Sequence, residues 1–388
     1  MRVAAFDYEL PPELIAQRPE SNREAARLMR VGRESDEPEH RRVADLPDLL
    51  PPGALVVLND TRVIPARLLG RKRDTGGKVE ILLVRAFGTR EIETTAGQTR
   101  PVEIWHALGK ASKGLRFGAD LDVHTRASNP APAAQAHPGV LPRSTGEAGA
   151  ARLTARLLGR AEDGLLEVAL WTPNGEPVRD AIRATGHVPL PPYIKREDEP
   201  EDENRYQTVY ARHDGAVAAP TAGLHLTNGL LGRLAVRGCE VASVTLHVGL
   251  GTFQPVQVED LDDHPMHAER YVVTPSTAEA IARARARGAP VVAVGTTTAR
   301  ALESAADPRE PRAVRPMEGE TRLLIQPGFR FQVVDVLFTN FHLPRSTLLA
   351  MVCAFAGTER VLAAYRAAVR QGYRVFSYGD AMLLERRV

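Results

Sequence analysis

Five of the eleven histidines stand in segments punctuated by glycine, proline or threonine: His225 in APTAGLHLT, His247 in TLHVGLGTF, His264 and His267 in DDHPMHAER, and His342 in TNFHLP. Imidazole takes or gives a proton near neutral pH without a large perturbation, so it is the side chain expected where a reaction moves protons. Such punctuated segments are connections and strand ends, where α/β sheets place ligands. One histidine alone is compatible with a hydrogen-bonded structural role. Five of them, with glycines that admit a ligand to the backbone, point to a site.

Gly249-Leu250-Gly251 follows His247 but lacks the third glycine and the helical pattern of a dinucleotide fingerprint. It predicts close backbone approach to a flat ligand rather than a phosphate cradle. His264-x-x-His267-x-Glu269 has the residue types of a metal cluster, yet i,i+3 spacing beside Pro265 is not the helix-borne arrangement, and no metal is expected. Val294-Gly295-Thr296-Thr297-Thr298 runs from a strand into a helix whose first amides have no intrahelical acceptor, which suits an anion or an ordinary helix cap. Arg62, Arg67, Arg71, Lys72, Arg73 and Lys78 cluster in sequence, and Lys110, Lys113 and Arg116 follow. They form either solvated surface or a track for an RNA backbone.

The elements that must position these residues are of two kinds. VIPARLLG, KVEILLVR, PVEIWHAL, ARLTARLLG and LLEVALW are short strand-like runs with no helical stretch between them, the pattern of a small β-barrel. Segments 87–100 and 124–150 lack periodicity and read as mobile loops. From about residue 173 helix and strand patterns alternate: PVRDAIRATG, TNGLLGRLAVRG with Thr227 as its cap, CEVASVTL, a capping box Ser276 to Glu279 opening AEAIARARARG, PVVAV, and then FQVVDVLF, STLLAMVCAFAG and ERVLAAYRAAVRQG. The fold class expected is an α/β domain with an inserted small all-β barrel domain, residues 1–62 plus 173–388 forming the first and 63–172 the second.

At 388 residues the chain suits two domains, and 43% hydrophobic with 25% charged residues is a soluble globular balance. A formal charge of +2 neither demands nor excludes an RNA partner. Two cysteines, Cys239 and Cys353, with no C-x-x-C pair exclude a disulfide framework and a cysteine metal site, and both are expected to be buried and inert. No run approaches the ~20 apolar residues of a membrane span. The N-terminus lacks a signal-peptide pattern, and the cytoplasm is the expected compartment.

Read in order, FDYELPPELIAQRP, VVLNDTRVIPARL, GGKVEILL, HVPLPPYIKR, RYQTVYA, AAPTAGLHLT, TLHVGLGTFQPV, DHPMHAER, AVGTTTARALES, TNFHLPRSTLL and FSYGDAMLL resemble the S-adenosylmethionine:tRNA ribosyltransferase-isomerase family of queuosine biosynthesis. The resemblance covers most of the chain, with departures in the two barrel loops, at 305–320, and at Leu226, Leu324 and Gln326, where aromatics are usual. It implies an α/β domain carrying an inserted barrel. It implies transfer and isomerisation of the ribosyl part of S-adenosylmethionine onto 7-aminomethyl-7-deazaguanine at the wobble position of a tRNA with a GUN anticodon, giving epoxyqueuosine, adenine and methionine. S-adenosylmethionine is then a consumed substrate, no cofactor is implied, and the protein is expected to be a monomer.

The resemblance also sorts the candidates. A sulfonium acidifies the adjacent ribose C5′–H, so His225, His247, His264, His267 and His342 are candidate bases, and a second histidine, Asp380 or Tyr378 is a candidate acid for departing adenine. Phe253, Phe341 and Tyr378 could stack on adenine or hold the sulfonium, and Asp60 could offset positive charge. Thr221, Gly223, Gly249 and Gly251 are expected against the nucleoside; Thr296, Thr297, Thr298 and Arg300 on a carboxylate or phosphate; and Arg62, Arg71, Lys72, Lys78, Lys195 and Arg196 on RNA. The rival expectations are a non-catalytic tRNA-binding sensor of S-adenosylmethionine and a metal-dependent hydrolase built on His264 and His267.

Overall fold

Apolar runs such as LVVL, VVAV and VLF, with no polar alternation, are what a sheet covered on both faces requires. In the computed structural model these runs are the central strands of a nine-stranded mixed sheet. The structure describes residues 1–388 except 34–36, 95–96, 98, 112–113, 125–151, 162–163, 250–255 and 387–388. Across the sheet the strands are ordered Met317–Thr321, Glu269–Val273, Glu240–Leu246, Leu55–Asn59, Val291–Val294, Val336–Asn340, Ala381–Glu385, Arg27–Val31 and Glu39–Arg42. The third to sixth run parallel to one another. Their alternate residues feed two cores. Leu55, Val57, Val291, Ala293 and Leu337 pack with Ile281, Leu302, Leu349 and Tyr365 on one face, and Val56, Leu58, Val292, Val294 and Phe338 pack with Leu46, Leu230 and Leu234 on the other.

The second fold element is a closed six-stranded antiparallel barrel, ordered Leu166–Trp171, Thr99–Ala111, Lys78–Glu93, Arg67–Lys72, Asp120–Val123 and Leu153–Arg160. Val79, Ile81 and Leu83 are buried at alternate positions, as one inward face demands. The chain divides into Met1–Val63 with Leu190–Val388, and Ile64–Pro189. The second boundary differs from the 172 read in the sequence. Residues 173–189, including the helix Val178–Thr185, fall with the barrel because Arg67 and His187 exchange backbone hydrogen bonds and the backbone of Gly186 lies so close to the Pro65 carbonyl that a side chain there would overlap it.

Two other expectations are corrected. Much of 87–100 is not a loop, for Thr89, Arg90, Glu91 and Ile92 pair with Glu103, Val102, Pro101 and Arg100 in a long hairpin. Most of 124–150 lies outside the described residues. The helix Pro275–Ala286 is capped by Thr274, whose hydroxyl accepts from the Thr277 amide, and not by Ser276, because Pro275 fixes the first helical position. Thr227 does cap Asn228–Val236, accepting from the Leu230 amide. Cys239 and Cys353 are buried and free, and burial pushes the Cys353 thiol up to about 12. Among the described residues no single helix is long and apolar enough to cross a membrane.

The parallel strands are locked at their carboxyl ends by one fully buried amide. Asn59 donates to the Leu246 carbonyl at 3.0 Å and to Thr297 Oγ1 at 3.2 Å, and accepts from the Leu246 amide at 3.0 Å and the Thr61 amide at 3.2 Å. Every donor and acceptor it owns is engaged. Asn59→Leu, similar in size, should therefore lower unfolding free energy by roughly 2–4 kcal/mol, since the Leu246 and Thr61 backbone groups lose their partner. Urea unfolding of the two proteins measures the difference.

Candidate active site

Four parallel strands end together, at Leu246, Asn59, Val294 and Asn340, so the residues that follow them converge on one edge of the sheet. A cleft of about 500 Å³ opens there, walled by Thr221, Thr296, Thr297, Asn340, His342 and Phe376 among others. Asn340 organises its wall. The amide donates to His225 Nε2 at 3.1 Å and to the Phe376 carbonyl at 3.2 Å, while its oxygen accepts from the Thr221 hydroxyl at 2.9 Å.

Those bonds separate the histidines by role. His225 is buried and its Nε2 accepts from Asn340, so that nitrogen is engaged within the protein rather than presented to the cleft. Burial lowers it to about 4. His342 Nε2 lies 2.9 Å from the Thr339 hydroxyl, and burial lowers this ring to about 3. His342 is the one histidine in the cleft wall among the described residues. His247 follows the Glu240–Leu246 strand, with Nδ1 2.9 Å from Thr61 Oγ1 and Gly215 directly beneath its ring. Burial first, then Arg270 and His213, depress its pKa. His264 and His267 line a neighbouring cavity of about 480 Å³ with Glu269 and Arg300, and burial followed by the charge of His267 lowers His264.

With this geometry in place, relatives extend over the whole chain. The family model for queuosine biosynthesis protein matches residues 3–384. The chain belongs to that family. A protein of Sorangium cellulosum (strain So ce56) named S-adenosylmethionine:tRNA ribosyltransferase-isomerase is 55% identical over 392 residues, spanning 99% of this chain and 98% of its own. One of the same name from Anaeromyxobacter dehalogenans (strain 2CP-C) is 50% identical over 387 residues, spanning all of both. The crystal structure of S-adenosylmethionine tRNA ribosyltransferase from Thermotoga maritima is similar at a TM-score of 0.51 and 35% identity, covering 98% of this chain and 99% of that one.

In this queuosine biosynthesis protein several residues expected at the substrate are engaged elsewhere. The Asp380 carboxylate accepts from the amides of Arg27 and Arg374 and from the Arg27 guanidinium, so its oxygens are engaged within the protein. Tyr378 donates its hydroxyl to Asp202 at 2.8 Å, and burial raises its pKa far above the phenol range. Arg300 forms a buried ion pair with Glu269 through Nη1 and donates Nε to the Leu323 carbonyl, while its Nη2 is buried without a hydrogen-bond partner among the described residues. Arg196 holds Asp202 with two bonds of 2.6 and 2.8 Å, so it is not a free phosphate contact. Thr298 donates to the Val294 carbonyl and Thr297 accepts from Asn59; Thr296 and Thr297 border the cleft, Thr298 does not.

The remaining candidates divide as plainly. Asp60 accepts from Thr245 Oγ1 at 2.7 Å, and Arg62 reaches the Ala211 carbonyl at 2.6 Å. Gly223 is required by protein packing, because a Cβ would lie 2.0 Å from the Tyr210 hydroxyl. The Gly249 amide is bound to Glu269 at 2.9 Å rather than presented to a ligand. Phe341 borders the cleft but is buried edge-on against Tyr365 and Tyr373. Gly251 and Phe253 lie outside the described residues. Lys195 and Lys78 are exposed; Arg71 and Lys72 bond to the carbonyls of Gly76 and Gly114 in the barrel unit.

Sequence reasoning missed the aromatic pair in the cleft, Tyr193 and Phe376, stacked with centroids 4.1 Å apart. Phe376 holds a φ of 74°, a conformation that no composition or periodicity reveals. It missed Asn340 as well, although a buried asparagine between an apolar strand and Phe-His was a visible signal.

An unfolded imidazole titrates near ~6.5, so below that value the unfolded chain binds protons that folded His225 and His342 refuse. Their contribution is complete above ~6.5 and declines as pH falls toward 4. Between pH 7 and pH 5 each should cost about 2 kcal/mol of unfolding free energy. Urea titrations at the two pH values should show this loss, and His225→Asn should reduce its share.

Proposed function

We propose that this chain transfers and isomerises the ribosyl moiety of S-adenosylmethionine onto 7-aminomethyl-7-deazaguanine at the wobble position of a tRNA with a GUN anticodon. The products are epoxyqueuosine-tRNA, adenine and methionine. S-adenosylmethionine is consumed, no further cofactor is required, and the protein acts as a monomer with the barrel as an inserted domain. Full-length relatives that carry the ribosyltransferase-isomerase name support this activity.

The observation that carries the chemistry is an uncharged imidazole, His342, in the wall of a cleft at the carboxyl ends of parallel strands. Burial keeps its base form populated at every physiological pH. Its hydrogen bond with Thr339 fixes the ring. The sulfonium loosens the ribose C5′–H, His342 takes that proton, and the short-lived imidazolium is strongly acidic, which favours handing the proton to departing adenine. Tyr193 and Phe376 offer flat faces for the nucleoside, and a desolvated cleft keeps the attacking amine neutral.

Protein incubated with S-adenosylmethionine and tRNA bearing the aminomethyl base should release adenine and methionine in equal amounts, matched by modified tRNA. S-adenosylhomocysteine in their place would mean methyl transfer, and binding without product would mean a sensor. His342→Ala should cut single-turnover rate by about 10²–10⁴-fold while S-adenosylmethionine affinity changes only a few-fold. An equal loss in both would assign His342 to binding.

A further inference from the structure

Beside the main cleft lies a second, smaller pocket, and Ser377 lines both. Three arginines, Arg23, Arg205 and Arg374, border it. Arg374 is paired with Glu20 at 2.8 Å. Arg23 and Arg205 form no carboxylate ion pair among the described residues. Arg23 donates instead to the carbonyls of Leu224, Asn204 and Gln207 at 2.7–3.0 Å, and Arg205 to those of Glu20 and Ser21. Carboxylates close behind this wall do not neutralise it, because Asp380 is already paired with Arg27 and Asp202 with Arg196. Three cations against Glu20 leave two positive charges around one small cavity.

Backbone carbonyls require donors, not charges, and an amide side chain would serve them. Gathering two like charges is unfavourable: burial first, then the neighbouring charge of Arg205, depresses the pKa of Arg23. The same wall carries His225, whose Nε2 contacts Asn340 of the main cleft, so an occupant of the cavity would lie next to the nucleoside site.

We propose that the cavity bordered by Arg23, Arg205 and Arg374 binds a substrate oxyanion. The guanidiniums, with their orientation fixed by carbonyl bonds, present remaining N–H donors and net positive charge to a carboxylate or phosphate. Under the proposed activity two sources supply that group, the amino-acid carboxylate of S-adenosylmethionine and a phosphate of the tRNA.

Binding is measured separately from turnover, so a failure of this assignment is distinct from a failure of the proposed reaction. Arg205→Gln and Arg374→Gln are compared with Arg205→Lys, with thermal melts confirming that each folds. If the anion is the carboxylate, the glutamine variants should bind S-adenosylmethionine about 10–100-fold more weakly, bind its decarboxylated analogue unchanged, and leave tRNA affinity unchanged. If it is a phosphate, tRNA affinity should fall, with the slope of log affinity against log salt reduced by about one. In either case Arg205→Lys should restore much of the loss. No loss in either arm, or equal losses in both, overturns the proposal.

Discussion

A parallel sheet covered on both faces must bury the polar ends of its own strands, and in this protein two asparagines make that possible. Asn59 joins the ends of the Leu55–Asn59 and Glu240–Leu246 strands to the start of the helix Thr296–Ser304. Asn340, at the end of its own strand, fastens Thr221, His225 and the Phe376 carbonyl. Each is buried. Without them the carbonyls and amides at this edge would be dry and unpaired, a cost of about 1–3 kcal/mol for each group. The cleft is the space left between elements that these amides hold apart.

The same burial governs the charged residues around the cleft. An ion removed from water is tolerated when its partner comes with it. Glu269 accordingly lies on Arg300, Asp202 on Arg196 and Asp380 on Arg27, each carboxylate almost fully enclosed. These pairs frame the site. The histidine in its wall, His342, is held by burial in the uncharged form. Arg23 and Arg205, which border the smaller cavity, form no carboxylate ion pair among the described residues and bond to backbone carbonyls instead.

Much of this was legible before any coordinates. Apolar runs, glycine breaks and the Thr227 cap marked the elements, and the punctuated histidines marked the edge of the sheet, because those signals are local. His225 and His342 were equal candidates in sequence; they differ in the cavity each borders and in the partner of Nε2, Asn340 for His225 and Thr339 for His342. Asp380 and Arg300 looked like free chemistry because their partners, Arg27 and Glu269, stand 353 and 31 residues away. The far end of the barrel hairpin was misjudged because its pairing, not its composition, makes it a strand.

By itself the sequence determined which side chains this protein carries at its strand ends and to which family it belongs, since motif order survives without contacts. Tertiary structure alone decided which imidazole faces the cleft, which charges neutralise one another, and that Phe376 adopts a left-handed backbone beside Tyr193. The physical reason is range. Propensity and capping act within a turn or two of the chain, whereas desolvation and ion pairing depend on what the folded chain brings within a few ångströms.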